Sequence, residues 1–447
     1  MPSRLTVDYL KSLLRKNAVV SLLGNGVSML LGLLTFILLA RWLTKSDFGE
    51  WSLLLTSYIL FDTVRTGLVL NALIQQASHC ENDDELRNWA GAAWQVGSLF
   101  TVLSGSLLIL SVLISRWIVG PLMDVDSLLW LLLVGVVSLP LSVASWLLQT
   151  KSRFGSLQWS KLIHPLIFLV LLSLVYVNNV LSIKAVGLAY LLAMAISSLV
   201  SITTGWAFMS SYFTGTALER QPLLNYGKYS IGALLCSNLL RSSDIYLIRI
   251  FLGTDAVALY SIPQRLIQLL EVPIRSIVVT SIPEMVKLHR ANQPERLADF
   301  FRKNAGGLWI ALLPVSLFCI IFAEPLVTAL GGSQYRDATV IFRIFMVYSA
   351  LIPLDRYVGV LLDSIGVPKA NMTKIFIMLV INILGDLIAL QIFHSVTAVA
   401  FVSIFTFGTG VVLGFSMIGK RLPITGWQVV RAGHKGLFLL YAKFARS

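Results

Sequence analysis

The chain has 447 residues, of which 56% are hydrophobic and only 13% charged, and basic residues exceed acidic ones for a formal net charge of +13. A charged share about half that of a soluble domain, with a mean hydropathy of +0.80, excludes a soluble enzyme of two or three domains. The basic balance comes without a groove-reading or base-stacking motif, which excludes a nucleic-acid binder.

Apolar runs of spanning length recur from end to end. Twelve transmembrane helices are predicted in chain order, at 17–40, 50–76, 90–115, 127–149, 160–178, 185–212, 227–251, 257–281, 304–323, 338–362, 373–392 and 397–419. The fold class is therefore an all-α polytopic membrane protein. The first run follows Arg4, Lys11, Arg15 and Lys16 but is too long for a cleaved signal, so it reads as an uncleaved span. Lys and Arg concentrate before span 1, after the even-numbered spans and in the C-terminal tail. The loops after odd-numbered spans hold only Arg41, Lys45, Arg116, Lys184 and Arg336. That bias predicts both termini in the cytoplasm.

The division expected is a cytoplasmic segment at 1–16, an N-lobe of spans 1–6 at 17–213, a cytoplasmic linker at 214–226, a C-lobe of spans 7–12 at 227–420 and a cytoplasmic tail at 421–447. The lobes read as parallel repeats. Leu43 to Leu53 lines up with Leu252 to Ile262, Pro140 with Pro353, and Gly155 with Gly366. The loop at 283–303 is expected to form a helix, either lying on the membrane surface or solvated. In the tail, Trp427, Val430, Leu437, Phe438 and Tyr441 alternate with Arg431, Lys435 and Lys443, a basic amphipathic pattern suited to anionic phospholipids of the inner leaflet. Cys80, Cys236 and Cys319 are too scattered for a disulfide framework or a metal site.

Charges inside spans are the informative feature, because each costs about 2.5–3.5 kcal/mol at a helix centre. Asp62 and Arg65 are three apart in span 2, as are Arg241 and Asp244 in span 7. Glu271 and Arg275 are four apart in span 8, with Gln268 on the same stripe. These spacings let acid and base pair along one helix. Arg265 has no acid at three or four residues, so its partner is another helix or a ligand. Arg65, Arg241, Arg249, Arg265, Arg275, Arg343 and Arg356 outnumber Asp62, Asp244, Glu271, Asp355 and Asp386, and the bases assigned to span interiors are all Arg. Two readings stay open: self-neutralised pairs that hold helices together, or a cationic cavity for phosphate or carboxylate. For the second, Arg65, Arg265 and Arg275, then Arg241, are the candidate substrate-binding residues. Asp62, Asp244, Glu271, Gln268 and Asn25 would support them.

Backbone irregularities fall in the same spans: Gly24-Asn25-Gly26, Pro263 and Pro273, and Pro353 before Asp355-Arg356. Such breaks are tolerated where a helix lines a cavity or packs on protein. Asn382 and Asp386 form a polar pair in span 11, either an H+ or Na+ coupling site or an interhelical hydrogen bond. His164 reads as interfacial. There is no phosphate-loop motif, nucleophile elbow or His/Glu metal cluster, and outer loops are short, so neither an enzyme nor a bound cofactor is expected.

Arg41 through Trp51, Asn225-Tyr226-Gly227, Ser243-Asp244 with Ile248 and Leu252-Gly253, and Tyr260 with Arg265-Leu266 resemble a known family. They are similar to the polysaccharide-transporter (Wzx-type flippase) branch of the multidrug/oligosaccharidyl-lipid/polysaccharide (MOP, MATE-like) exporter superfamily. The resemblance implies two six-helix lobes in a V around a cavity lined by spans 1, 2, 7 and 8. It implies a polyprenyl-diphosphate-linked oligosaccharide as substrate, on undecaprenyl diphosphate and destined for O-antigen of lipopolysaccharide, capsule or exopolysaccharide. Transport would run from the inner to the outer leaflet of the bacterial inner membrane by alternating access. A polysaccharide polymerase and other glycan-assembly proteins are the implied partners. The alternatives are a MATE-type ion-coupled multidrug antiporter and a non-transporting scaffold for glycan assembly.

Overall fold

The computed structural model describes residues 24–78, 80, 83–118 and 124–434. The segment 1–16 and the tail beyond 434, with Lys435, Leu437, Phe438, Tyr441 and Lys443, lie outside the described residues. Apart from two 3-10 turns, regular structure among the described residues is α-helical. A span in a bilayer has no water for its backbone, and a helix satisfies every N–H and C=O internally.

The helices are α1 (Gly24–Trp42), α2 (Lys45–Ala77), α3 (Asp83–Ile118), α4 (Val125–Val137), α5 (Leu139–Thr150), α6 (Phe154–Val177), α7 (Ile183–Thr203) and α8 (Ala217–Leu252). They continue with α9 (Thr254–Thr280), α10 (Ile282–Arg290), α11 (Pro294–Ile321), α12 (Ala323–Gly331), α13 (Ala338–Ser349), α14 (Ile352–Ser364), α15 (Pro368–Phe393) and α16 (Val396–Gly419). Among the described residues, 10 helical stretches are long and apolar enough to cross a membrane, or 11 if the bent pair α13–α14 is one span. The remaining expected span lies in α8, where Asn238, Arg241, Ser242, Ser243 and Asp244 make the sequence more polar.

The chain divides into two compact units, Met1–Leu235 and Cys236–Ser447. The division falls inside α8, which begins at Ala217 within the segment read as a linker. The expected helix at 283–303 is α10 followed by the first turns of α11. α10 continues from α9, giving a helical stretch of 37 residues at Thr254–Arg290 that includes a window apolar enough to span. Gly24, Asn25 and Gly26 are helical where α1 is described, and Gly24 is buried against the Gln158 side chain.

Two features recur at matching places in the units. Pro140 stands in the first turn of α5, just past the break after α4. Pro353 stands in the first turn of α14, where the helix pair bends by 42°. Proline has no N–H for the preceding turn and its ring crowds that carbonyl, so the helix breaks there. The second feature is a glycine crossing. A Cβ on Gly91 of α3 would overlap the Ser211 carbonyl and the Gly215 backbone after α7. A Cβ on Gly306 of α11 would overlap the Val429 carbonyl and the Gly433 backbone of the helical turns at 426–434. In each unit the segment after the last span lies directly on the third one, with backbones closer than any side chain permits.

In the first unit the core packs α2, α3 and α5 around Leu68, Trp94, Trp146 and Leu147. Beside it, Trp51, Trp130, Phe168 and Tyr190 form an aromatic cluster. His164 packs edge-on against Tyr190 and stacks on Phe168, so it belongs to this cluster. In the second unit Phe301 meets Tyr357, and Tyr260 meets Phe345.

Candidate functional site

The predicted charges separate into three groups. The first is Arg65, which is completely buried. Its Nη2 lies 2.7 Å from Asp62 Oδ1, 2.9 Å from Ser138 Oγ and 2.8 Å from Ser142 Oγ. Its Nη1 lies 2.8 Å from the Gly135 carbonyl oxygen. The Phe61 ring covers the guanidinium at 4.9 Å. The Asp62–Arg65 pairing follows the helical spacing. Its setting does not match the expectation of a ligand contact. The guanidinium fills the break between α4 and α5 and binds that break to α2.

The second group is built on α9, where Arg265, Gln268, Glu271 and Arg275 follow one another at three- and four-residue spacing on one face. Glu271 Oε2 lies 3.0 Å from Arg241 of α8, 3.2 Å from Arg356 of α14 and 3.9 Å from Arg275. Glu271 is mostly covered, at 14% exposure, whereas Arg275 is 62% exposed and Arg241 39%. One carboxylate cannot neutralise three guanidiniums, so this group keeps a surplus of positive charge. Arg265 is half-buried and donates to Gln268 Oε1 at 3.1 Å. Gln264, one turn away, donates to the Arg241 carbonyl at 3.0 Å. Arg356 was placed in a span by sequence but given no role; the signal was its position just after Pro353.

The third group corrects the expected Arg241–Asp244 pair. Arg241 turns to Glu271, and Asp244 is buried elsewhere. Tyr260 donates its hydroxyl to Asp244, and Asn382 Nδ2 lies 2.6 Å from Asp244 Oδ1 and 2.9 Å from Asp386 Oδ2. Thr406 of α16 donates to Asn382 Oδ1 at 3.1 Å. Asp386 Oδ1 has no hydrogen-bond partner among the described residues. Asp244, Asn382 and Asp386 thus form one buried cluster joining α8, α9, α15 and α16. Tyr260 and Thr406 were not anticipated. Asn25 is exposed on α1, and its Oδ1 lies 3.5 Å from Gln158 Nε2.

A further ion pair corrects the reading that span interiors hold only arginines. Lys374 of α15, 1% exposed, pairs with Asp355 Oδ1 at 2.5 Å. The hint was its place on a four-residue stripe with Met378, Asn382 and Asp386.

A family model described as polysaccharide biosynthesis protein matches residues 14–289. The chain belongs to that family. No curated protein matches it in sequence. Its fold is similar to an inward-facing multidrug resistance MATE family transporter of the MOP superfamily, at TM-score 0.74 and 14% identity over 88% of this chain and 94% of that one. It is also similar to the lipid II flippase MurJ in an inward closed conformation, at TM-score 0.71 and 14% identity over 96% and 93%. A third likeness is to a MOP superfamily transporter from Pyrococcus furiosus, described as having a binding pocket of reverse polarity, at TM-score 0.55 and 14% identity over 92% and 94%. The chain is thus a multi-pass membrane protein of the polysaccharide biosynthesis family, with a fold similar to those of the MATE transporter and MurJ.

Proposed function

We propose that this polysaccharide biosynthesis family member is a flippase for a polyprenyl-diphosphate-linked oligosaccharide in the bacterial inner membrane. The observation that carries the reading is the shared carboxylate of Glu271, flanked by Arg241, Arg275 and Arg356. The surplus of about two positive charges matches the roughly two negative charges of a diphosphate, and planar guanidiniums suit its paired oxygens. Exposed arginines at spanning depth need water or an anion opposite them. A diphosphate would displace Glu271 from the arginines, which would reunite when the headgroup leaves.

Arg241, Arg265, Arg275 and Arg356 form the proposed capture set. Arg65 is left out because it is completely buried and both Nη atoms are engaged in helix packing. Asp244, Asn382 and Asp386 are the proposed seat of a coupling cation, H+ or Na+, with Tyr260 and Thr406 completing the cluster. Transport by alternating access, an undecaprenyl carrier, anionic phospholipid contacts and partnership with a polysaccharide polymerase belong to the same reading.

The test is complementation of a deletion strain with Arg241→Ala and with Arg275→Ala. Surface glycan is expected to fall at least tenfold, at normal protein level, while lipid-linked precursor accumulates in the inner leaflet. Unchanged glycan with both variants would overturn phosphate capture. Drug hypersensitivity of the deletion strain with intact glycan would favour a multidrug antiporter instead. Wild-type glycan export from a variant stripped of all four capture arginines would favour a scaffold.

A further inference from the structure

The second unit contains a cleft of about 200 Å³ that starts at Arg241, Glu271 and Arg356 and runs between α14 and α15. Its charged lining consists of Arg241, Arg356 and Lys374 against Glu271, Asp355 and Asp363, so positive and negative charges balance. A free anion gains little inside such a lining, and so does a cation. Arg275, the third guanidinium beside Glu271, is not part of this wall. A ligand that is neutral, and that both donates and accepts hydrogen bonds at many points, fits the lining better.

The walls have two characters. One presents alternating donors and acceptors: Asn371 donates to Asp363 Oδ2 at 3.0 Å, Lys374 to Asp355, and Arg356 to Glu271 at 3.2 Å. The other presents Leu240, Val360, Ile375, Met378 and Phe407. Pyranose rings have this dual character, with hydroxyls around the edge and apolar C–H faces. Two details point to a ligand beyond the protein's own hydrogen bonds. Asn371 Oδ1 is buried without a hydrogen-bond partner among the described residues. Gly359 lies against that oxygen, where a Cβ would stand only 3.1 Å away, so a side chain there would press on the Asn371 amide.

We propose that this cleft is a subsite for the sugar attached directly to the diphosphate. The inference rests on the diphosphate reading, because Arg241 and Arg356 belong both to the capture set and to the mouth of the cleft. A diphosphate held there places its anomeric carbon at the opening, and the first ring enters. The hydroxyls of that ring meet Asp363, Asn371 and the Lys374–Asp355 pair, while its C–H face lies toward Met378 and Phe407. Sugars further along the chain do not reach the cleft and go unread by it.

The experiment uses the full chain in lipid nanodiscs and two synthetic probes, a bare short-chain polyprenyl diphosphate and the same lipid carrying one hexopyranose. Each probe's affinity is measured by microscale thermophoresis. The wild type is expected to bind the glycosylated lipid at least tenfold more tightly, the scale of one or two hydrogen bonds to charged groups. Asp363→Asn is expected to erase most of that difference while leaving affinity for the bare lipid within twofold, which also reports that the variant is folded. Gly359→Ala, which crowds Asn371 without altering charge, is expected to act in the same direction. Equal affinities for the two probes in the wild type would overturn the sugar subsite and leave the diphosphate reading standing. So would a preference unmoved by both substitutions. Failure to bind either probe would overturn both.

Discussion

Replacing Arg65 by alanine separates a ligand-binding arginine from a structural one. Its guanidinium is wholly buried and touches Asp62, the Gly135 carbonyl, Ser138 and Ser142 at 2.7–2.9 Å. Nη2 has only two hydrogens for three acceptors. Its hydrogens are therefore shared, and Ser142 also donates to Asp62 Oδ1 at 3.1 Å and Ser138 to the Gly135 carbonyl at 3.2 Å. Removing the guanidinium takes away the charge opposite Asp62 and leaves the carboxylate and the Gly135 carbonyl with only these hydroxyl donors. Breaking a buried pair costs about 3–5 kcal/mol. Asp62 keeps 34% exposure, so water recovers part of the loss and the lower end, about 3 kcal/mol, applies. For a unit of this size that lowers Tm by about 6–12 °C. The assay is thermal loss of the monodisperse peak of detergent-purified protein, with surface glycan measured in parallel. A Tm within about 2 °C of wild type together with abolished export would refute the structural assignment and return Arg65 to the ligand.

Three further outcomes follow from the same geometry. Lys374→Met should destabilise the protein by about 3 kcal/mol by stranding Asp355, and adding Asp355→Leu should recover most of that; strictly additive melting shifts across the cycle would contradict a coupled buried pair. Gly306→Val drives a side chain into the Val429 carbonyl, so the turns at 426–434 should leave α11 and trypsin should cut at Arg431 several-fold faster, against a wild-type digestion rate if the crossing is loose. Burial first, and the neighbouring Glu85 carboxylate second, push the Cys80 thiol above its ordinary range, with Lys151 pulling weakly the other way. Its maleimide labelling, followed by mass spectrometry, should therefore be slow at pH 7 and reach half its limiting rate only above pH ~8.5, the midpoint of an ordinary thiol; a midpoint at or below that pH would contradict the shift.

Much of the helical plan was legible in the chain because it is local. The breaks at Pro140 and Pro353 follow from a missing N–H, and the Asp62–Arg65 pair follows from three-residue spacing. The same spacing argument failed for Arg241 and Asp244. Two residues on one helical face are free to choose different partners once other helices arrive. Arg241 is drawn to Glu271, already placed between Arg275 and Arg356, and Asp244 to the hydroxyl of Tyr260 and the amide of Asn382. The Lys374–Asp355 pair was hidden because Lys374 sits close to the polar end of its span, where a lysine ordinarily extends to water.

From the sequence alone came the bilayer as solvent, the run of spanning helices, the repeat, and the cost of carrying arginines and carboxylates at depth. Hydrophobicity along the chain, the positions of its charges and the ordered matches between its halves are enough to read these. The neighbours of each charge were decided only by the tertiary structure. In a soluble helix an apolar stripe marks the packed face, but in lipid both faces are apolar, and the pattern does not say which way a helix is turned. α15 illustrates this. Lys374, Met378, Asn382 and Asp386 are inward, while Phe376, Val380, Leu384 and Ile388 on other faces are exposed. Small contacts such as Gly385 against Val402 and Gly410 against Met378 and Asp355 accompany that rotation. Packing at that scale gave Glu271 its three arginines and aligned the donors and acceptors of the cleft.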